Sequence, residues 1–178
     1  MQTKRKILIT GGNGYIGSCL SSVLYNKYSI SIIDKEKKSK FIPKKIEYVR
    51  LNLKNKIKLL KILEKLKPDI IIHLSAQSTI DVVDKKKKDY YINNYVVTKV
   101  LIECIKKLKI PYLIFSSTAA VYKKKDLKIK ETSKIFSSNS YGKSKIYCEK
   151  IVKKLNRNIT KFCILRFFNV ASSIVENK

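Results

Sequence analysis

The sequence predicts an α/β fold, a doubly wound parallel sheet of six strands, and three observations carry that prediction. Apolar runs of five or six residues alternate with segments of helical periodicity along the whole chain. The runs are dominated by Ile, Leu and Val, as strands covered on both faces require. Closely spaced glycines follow the first run directly, parsed as Gly12-x-Gly14-x-x-Gly17 or as Gly11-x-x-Gly14-x-x-Gly17, and lead into a helix-like segment. Repeated βα units of this kind wind with right-handed crossovers, and their ligands lie beyond the carboxyl ends of the strands.

The first strand is Lys6 to Thr10, and it empties into the glycines. Gly11 can take angles that a side chain forbids, while Gly14 and Gly17 allow a pyrophosphate and the helix to come close. The helix runs from Tyr15 to Asn26, apolar at Ile16, Leu20, Val23 and Leu24. Its N-terminal N–H groups suit phosphates, so Gly11, Gly14, Tyr15, Ile16 and Gly17 read as a Rossmann-type dinucleotide-binding turn.

Ser29 to Asp34 is the second strand. Asp34 falls about 20 residues past the glycines, where a carboxylate accepts from the ribose hydroxyls and repels a 2′-phosphate. NAD is therefore favoured over NADP, with Lys35, Lys37 and Lys38 the alternative partners of a phosphate. A charged loop through Pro43 leads to the third strand, Ile46 to Arg50, and a helix from Ile57 to Leu66 ends at Pro68. Ile70 to Leu74 is the fourth strand, and the small residues of Leu74-Ser75-Ala76 let the backbone lie along a cofactor. His73 is the only histidine and, inside a buried strand end, reads as a satisfied structural side chain.

Lys85 to Lys88 form a solvated loop before a long helix from about Asp89 to Leu108. Tyr112 to Ser116 is the fifth strand, Lys123 to Ser138 a polar surface loop, Tyr141 to Leu155 a helix and Lys161 to Arg166 the sixth strand. Tyr141 and Lys145, four apart, share one helix face, so an ammonium lies within a turn of a phenol. Opposite charges about 4 Å apart at an effective dielectric near 20 interact by roughly 4 kcal/mol, enough to lower a phenol's pKa by up to about three units. Tyr141 thereby becomes a candidate base, and the Ser/Thr cluster from Ser116 to Thr118 precedes it in the order such chemistry needs.

The 178 residues fit one domain over 1–178, without internal linker or repeat. Forty basic against 13 acidic residues give a formal net charge of +27. Only Arg5, Arg50, Arg157 and Arg166 are arginine, the residue that base and phosphate recognition favours, and lysine is scattered through every segment. The charge is read as a solvated, compositionally biased surface, with no specific nucleic-acid partner expected. Cys19, Cys104, Cys148 and Cys163 lack metal-type spacing and read as reduced, mostly buried thiols; no metal site is expected. The basic start is followed by only three apolar residues before the glycines, so neither a signal peptide nor a membrane span is read, and a cytoplasmic protein is expected.

The sequence resembles the NAD-dependent epimerase/dehydratase family of extended short-chain dehydrogenases/reductases over essentially its whole length. The likeness rests on Gly11-Gly-Asn-Gly-Tyr-Ile-Gly17, Tyr90-Tyr91 with Asn93-Asn94, Ser116-Ser-Thr-Ala-Ala-Val-Tyr122, Tyr141-Gly-Lys-Ser-Lys145 and Leu165-Arg-Phe-Phe-Asn-Val-Ala171. It runs most closely to members that invert C4 of UDP-glucose and UDP-galactose. Relatives that eliminate or decarboxylate carry an acid where Ala119 and Ala120 stand here, so oxidation and re-reduction fits better.

By this resemblance Tyr141 is the base, Lys145 holds the nicotinamide ribose and lowers the phenol's pKa, and Thr118 bonds the sugar hydroxyl being oxidised. It also implies that Asn52 and Leu53 meet adenine, that Asn94 and Ser116 bind along the cofactor, that Phe168 lies near the nicotinamide and that Asn169 touches the nucleotide-sugar. The implied reaction passes the C4 hydride to NAD, lets the 4-keto sugar turn, and returns the hydride to its other face. Family members carry Gly where Val97 and Lys123 stand, and an acid where Asn52 stands. A homodimer is implied through the helices starting near Asp89 and Tyr141, whose Val97, Leu101, Ile105 and Ile151 suit either the sheet or a partner. The resemblance further implies a C-terminal substrate domain beyond Lys178, absent from this chain. Two other readings stand beside it: an NAD-binding chain without turnover, and a basic polyanion-binding protein on the same scaffold.

Overall fold

The structure, a computed structural model, describes residues 4–78, 87–122 and 128–171. Lys85 and Lys86 of the expected lysine loop, and the first residues of the polar loop including Lys123, lie outside them. Six strands form one sheet: β1 (Lys6–Thr10), β2 (Ser29–Asp34), β3 (Glu47–Arg50), β4 (Ile70–His73), β5 (Tyr112–Thr118) and β6 (Lys161–Phe167). Their order is β3-β2-β1-β4-β5-β6, and every pairing is parallel. The winding reverses between β1 and β4, which leaves a crevice beyond their carboxyl ends.

The helices follow from where the apolar residues fall. α1 (Tyr15–Leu24) lays Leu20 and Leu24 on one face, against Ile7, Ile9, Ile30, Ile32 and Ile72. α2 (Lys56–Leu66), α4 (Val97–Leu108) and α5 (Ser140–Val152) cover the other, with Leu59, Leu63, Leu101, Ile105, Cys148 and Val152 packed on Leu8, Ile33, Ile71, Leu113 and Phe115. Each such side chain contributes roughly 1.5–3 kcal/mol by leaving water. Val97, Leu101 and Ile105, which suited either sheet or partner, are buried in the core. The exposed part of these helices instead carries Tyr91 and Tyr147, both close to Tyr95.

The cover is unequal. On the α1 side β4, β5 and β6 have no helix of their own among the described residues, and Ile70, Ile114, Leu165 and Phe167 line an apolar depression of about 960 Å³ beside α1. Strand alternation explains it: Leu165 and Phe167 point one way from β6, and Phe162 and Ile164 pack the other way into the helical core.

Caps set the helix ends. The Asn55 and Asn139 side chains accept from Lys58 N (3.1 Å) and Gly142 N (2.6 Å), starting α2 and α5. Lys67 and Lys109 close α2 and α4 in the left-handed region, at φ 47° and 52°, where glycine is the usual occupant. The long helix differs from its expected regular form. It starts as α3 (Lys87–Tyr90), widens into a π-helical segment (Tyr91–Val96) and only then becomes α4. The widening brings Tyr90, Asn94 and Val97 to the buried side, a local adjustment common beside functional sites.

Candidate active site

A cavity of about 650 Å³ runs along the carboxyl ends of the strands, from Asp34 and Leu53 past Gly14 and Leu74 to Tyr141 and Asn169. Gly11, Tyr15, Ile16, Gly17, Asn52, Ser75, Ala76, Ser116, Thr118, Lys145 and Phe168 also lie on its wall. Of the residues singled out from sequence, Asn94 alone is not there. It is buried beneath the wall, its Oδ1 accepting from Gln77 N (2.7 Å) and its Nδ2 donating to Gln77 O (3.2 Å) and Ser144 Oγ (2.9 Å). Asn93 faces the cavity in its place.

The glycine turn is compact for a visible reason. Gly11 sits at φ +73°, and a Cβ on it would come within 2.5 Å of Ser75 N, the backbone leaving β4. A Cβ on Gly14 would meet nothing closer than Gly11 O at 3.4 Å, so that side of the turn is open towards the cavity. α1 begins there with no acidic residue in its first turn, and the positive end of its dipole faces the space. The turn, Asp34 and the small residues after β4 thus form one continuous cradle for a dinucleotide.

Asp34 is held in place from two sides: Oδ2 accepts from Asn13 N at 3.0 Å and Oδ1 from Glu36 N at 3.1 Å. Two of the neighbouring lysines have partners of their own. Lys38 Nζ donates to Ile46 O (2.9 Å) and Lys44 O (3.3 Å), and Lys35 Nζ lies 3.8 Å from Glu36. Lys35 and Glu36 both line the cavity as well, a pair of opposite charges beside Asp34. Burial, with Asp34 and Glu36 nearby, pushes the Tyr48 phenol up to about 12.

Beneath the crossing point, His73 is fully buried between Thr10 Oγ1 (2.6 Å) and Thr98 Oγ1 (3.0 Å). Burial, assisted by the Lys145 charge, lowers its pKa to about 3. It is a neutral strut joining β1, β4 and α4, the role its place in the sequence suggested.

At the far end α5 presents Tyr141 and Lys145 to β5. Tyr141 is hydrogen-bonded to Thr118 and lies against Tyr90, with ring centroids 6.0 Å apart. Lys145 Nζ donates to Ser116 O at 2.8 Å and sits 5.0 Å over the Phe115 ring. Here the electrostatics depart from the expectation. Burial raises the Tyr141 pKa, outweighing the lowering by Thr118, whereas the helix spacing predicted a phenol lowered by Lys145. Lys145 carries its own cost of burial, which brings it down to about 8 against the opposing pull of Cys148 and Glu149. Lys145 is not among the groups that shift the resting Tyr141 phenol, and its Nζ is committed to the Ser116 carbonyl.

Sequence reasoning missed Asn13 and Gln77, backbone-shaping residues with no chemical signature, and the pair Glu149 and Arg166. An acid four residues beyond Lys145 on the same helix face was the available signal for the last.

A parallel doubly wound sheet with a glycine cradle, an acid ending β2 and a Tyr-Lys helix beside a Ser/Thr strand end defines a dinucleotide-dependent protein of the short-chain dehydrogenase/reductase class. A model of the NAD dependent epimerase/dehydratase family matches residues 7–177, and the chain belongs to that family. It is 32% identical over 187 residues to a UDP-glucose 4-epimerase of Mycoplasma pneumoniae, covering 97% of this chain and 54% of that protein. A crystal structure of a UDP-glucose 4-epimerase superposes with a TM-score of 0.89 at 30% identity, over 95% of this chain and 53% of the other. The Bifidobacterium longum UDP-glucose 4-epimerase, solved with NAD+ and UDP, gives 0.84 at 27% identity over 92% and 53%. The chain therefore spans about half the length of the relatives it matches. No described helix is long and apolar enough to cross a membrane, and no cluster of metal-ligating side chains occurs among the described residues.

Proposed function

We propose that this chain is the NAD-binding half of a UDP-hexose 4-epimerase, with Tyr141 as base, Lys145 and Thr118 as its partners, and UDP-glucose and UDP-galactose as the interconverted pair. The observation that carries the reading is the convergence of Thr118, Tyr141 and Lys145 at one end of a cavity whose other end is Asp34. The cradle fits NAD: side chains are excluded at Gly11 and Gly17, the turn is open at Gly14, and Asp34 is oriented for a ribose. When bound, NAD supplies the acceptor and then the donor of the C4 hydride. Gly14, Tyr15, Ile16 and Gly17 would hold its phosphates, Asp34 the adenosine ribose, Asn52 and Leu53 the adenine, and Lys145 and Phe168 the nicotinamide end.

Tyr141 takes the proton of the C4 hydroxyl as the C–H bond breaks, and returns it when the sugar is reduced from its other face. Thr118 donates to or accepts from the same oxygen, and Lys145 stabilises the phenolate. Asn169 meets the nucleotide-sugar. The raised phenol favours one alternative, an NAD-binding chain without turnover.

Tyr141→Phe separates the two. It keeps the ring and removes only the ionisable oxygen, so NAD affinity should hold while oxidation of UDP-glucose, read as nicotinamide absorbance, is lost. Orientation is worth roughly 7 kcal/mol or more of a catalysed barrier, so turnover by this chain alone should fall at least about a thousandfold below a full-length relative. It should recover when a relative's remaining half is added. A complemented wild-type chain that binds NAD yet oxidises neither sugar leaves the silent reading in place of this one.

A homodimer belongs to the same reading, with Tyr91, Tyr95 and Tyr147 as its aromatic centre. Sedimentation showing only monomer at tens of micromolar would remove it.

A further inference from the structure

Three consecutive residues of β5 are tied to three successive turns of α5. Ser116 O accepts from Lys145 Nζ (2.8 Å), Ser117 Oγ donates to Glu149 Oε1 (2.6 Å), and Thr118 bonds Tyr141. Residues 141, 145 and 149 stand at i, i+4 and i+8, so they form one stripe facing one strand end. The proposed reaction uses two of the three. Glu149 is only 2% exposed and also receives Arg166 of β6 in a two-pronged pair, Nε to Oε1 at 2.9 Å and Nη2 to Oε2 at 2.8 Å. Arg166 passes the connection on, with Nη1 donating to Tyr122 Oη (2.8 Å) and Glu131 O (3.2 Å). A buried carboxylate is costly unless it is paired and fully bonded, and this one is both.

We infer that Glu149 is a positioning residue: it fixes the Lys145 side chain and keeps it an ammonium by locking α5 to the end of β5, and Arg166 sets how much of its charge reaches Lys145. The inference rests on the reading of Lys145 as the cofactor-side ammonium and adds the group that maintains it.

The electrostatics have a definite sign. Lys145 is surrounded by Tyr141, Cys148 and Glu149 on its own helix, His73 from β4, Tyr90 against Tyr141, and Arg166 from β6 acting on Glu149. Glu149 is the carboxylate among them, and His73 is neutral near pH 7. Arg166 and, from the surface, Lys153 at 3.7 Å compete with Lys145 for it.

The experiment is NAD affinity by calorimetry on the whole chain between about pH 6 and 10, a range spanning the Lys145 titration. Wild type should lose affinity on the alkaline side, and Lys145→Met should abolish that limb. Glu149→Gln keeps the shape and removes the charge, so the limb's midpoint should fall to lower pH. Arg166→Gln should raise it, because it leaves Glu149 less compensated. Lys153→Met, a substitution at the solvent-facing edge, should raise it by less while leaving the buried bonds intact, and so reads the sign even if a core variant does not fold. Loss of affinity in these variants with an unmoved midpoint would mark a structural role and overturn the inference alone. A limb that survives in Lys145→Met, or a chain that binds no NAD, would overturn the reading of Lys145 and the inference with it.

Discussion

The Asp34 carboxylate accepts a hydrogen bond from the Asn13 backbone amide at 3.0 Å, so the group proposed for the ribose is aimed by the turn proposed for the phosphates. Lys38, which from sequence could have met a 2′-phosphate, is bonded to Ile46 O and Lys44 O instead. NAD should accordingly bind at least tenfold more tightly than NADP, a gap of about 1.4 kcal/mol. Asp34→Asn should narrow that gap by relieving the repulsion. Titration of both cofactors into wild type checks it, and equal affinities would mean that the lysines of this loop reach the phosphate after all.

His73 gives the chain a stability limb in mild acid. Its pKa is about 3 when folded and 6.5 when free, so below pH 6.5 the unfolded chain takes up a proton that the folded chain refuses. Stability is fully present above 6.5 and falls as pH drops towards 3, by up to about 1.4 kcal/mol per pH unit. The carboxylates held low by their partners, Glu149 and Glu103, lose their contribution as pH falls from the ordinary value of 4.5 towards their lower folded values. Denaturant melts from about pH 6.5 down to 5 therefore isolate the histidine. His73→Gln should flatten that interval, and an unchanged slope would show that the ring is charged or hydrated in the fold.

Most of the fold could be read because it is written in consecutive residues. Three apolar residues running into closely spaced glycines, or apolar side chains recurring at helical spacing, are signals contained in one window, and β1, β2, α2 and the Tyr141 helix lie where those windows put them. The π-helical segment was not legible: it adds one residue to a turn, and nothing in Tyr91 to Val96 distinguishes that turn from its neighbours. Its effect is concrete, since it buries Asn94 and leaves Asn93 on the wall. The Tyr141 pKa was illegible for another reason. Helix spacing places Lys145 near the phenol, but burial is a property of every element packed around both, and burial decides the direction.

Lys67 and Lys109 hold left-handed angles that cost an ordinary side chain roughly 1–2 kcal/mol. At Lys109 the following amide, Ile110 N, bonds back to Ile105 O at 3.2 Å, the pattern in which glycine is the usual residue. Lys109→Gly should stabilise the chain by about 0.5–1 kcal/mol after the greater entropy of an unfolded glycine is deducted, raising the melting temperature by about 1–4 °C. Calorimetric melting checks it; a lower transition would mean that the lysine side chain holds the turn.

The stretch of sheet over β4, β5 and β6 that no described helix covers gives the chain two opposed colloidal characters. Forty basic against 13 acidic residues make copies repel, whereas Ile114, Leu165 and Phe167 offer a plane that water leaves readily. Near physiological ionic strength the repulsion reaches only about 8 Å, and the plane is untouched by screening. Salt, which loosens a basic protein from a polyanion, thus has the opposite effect between copies of this chain: it lowers the barrier and leaves the adhesive in place, so dispersion is best in dilute electrolyte.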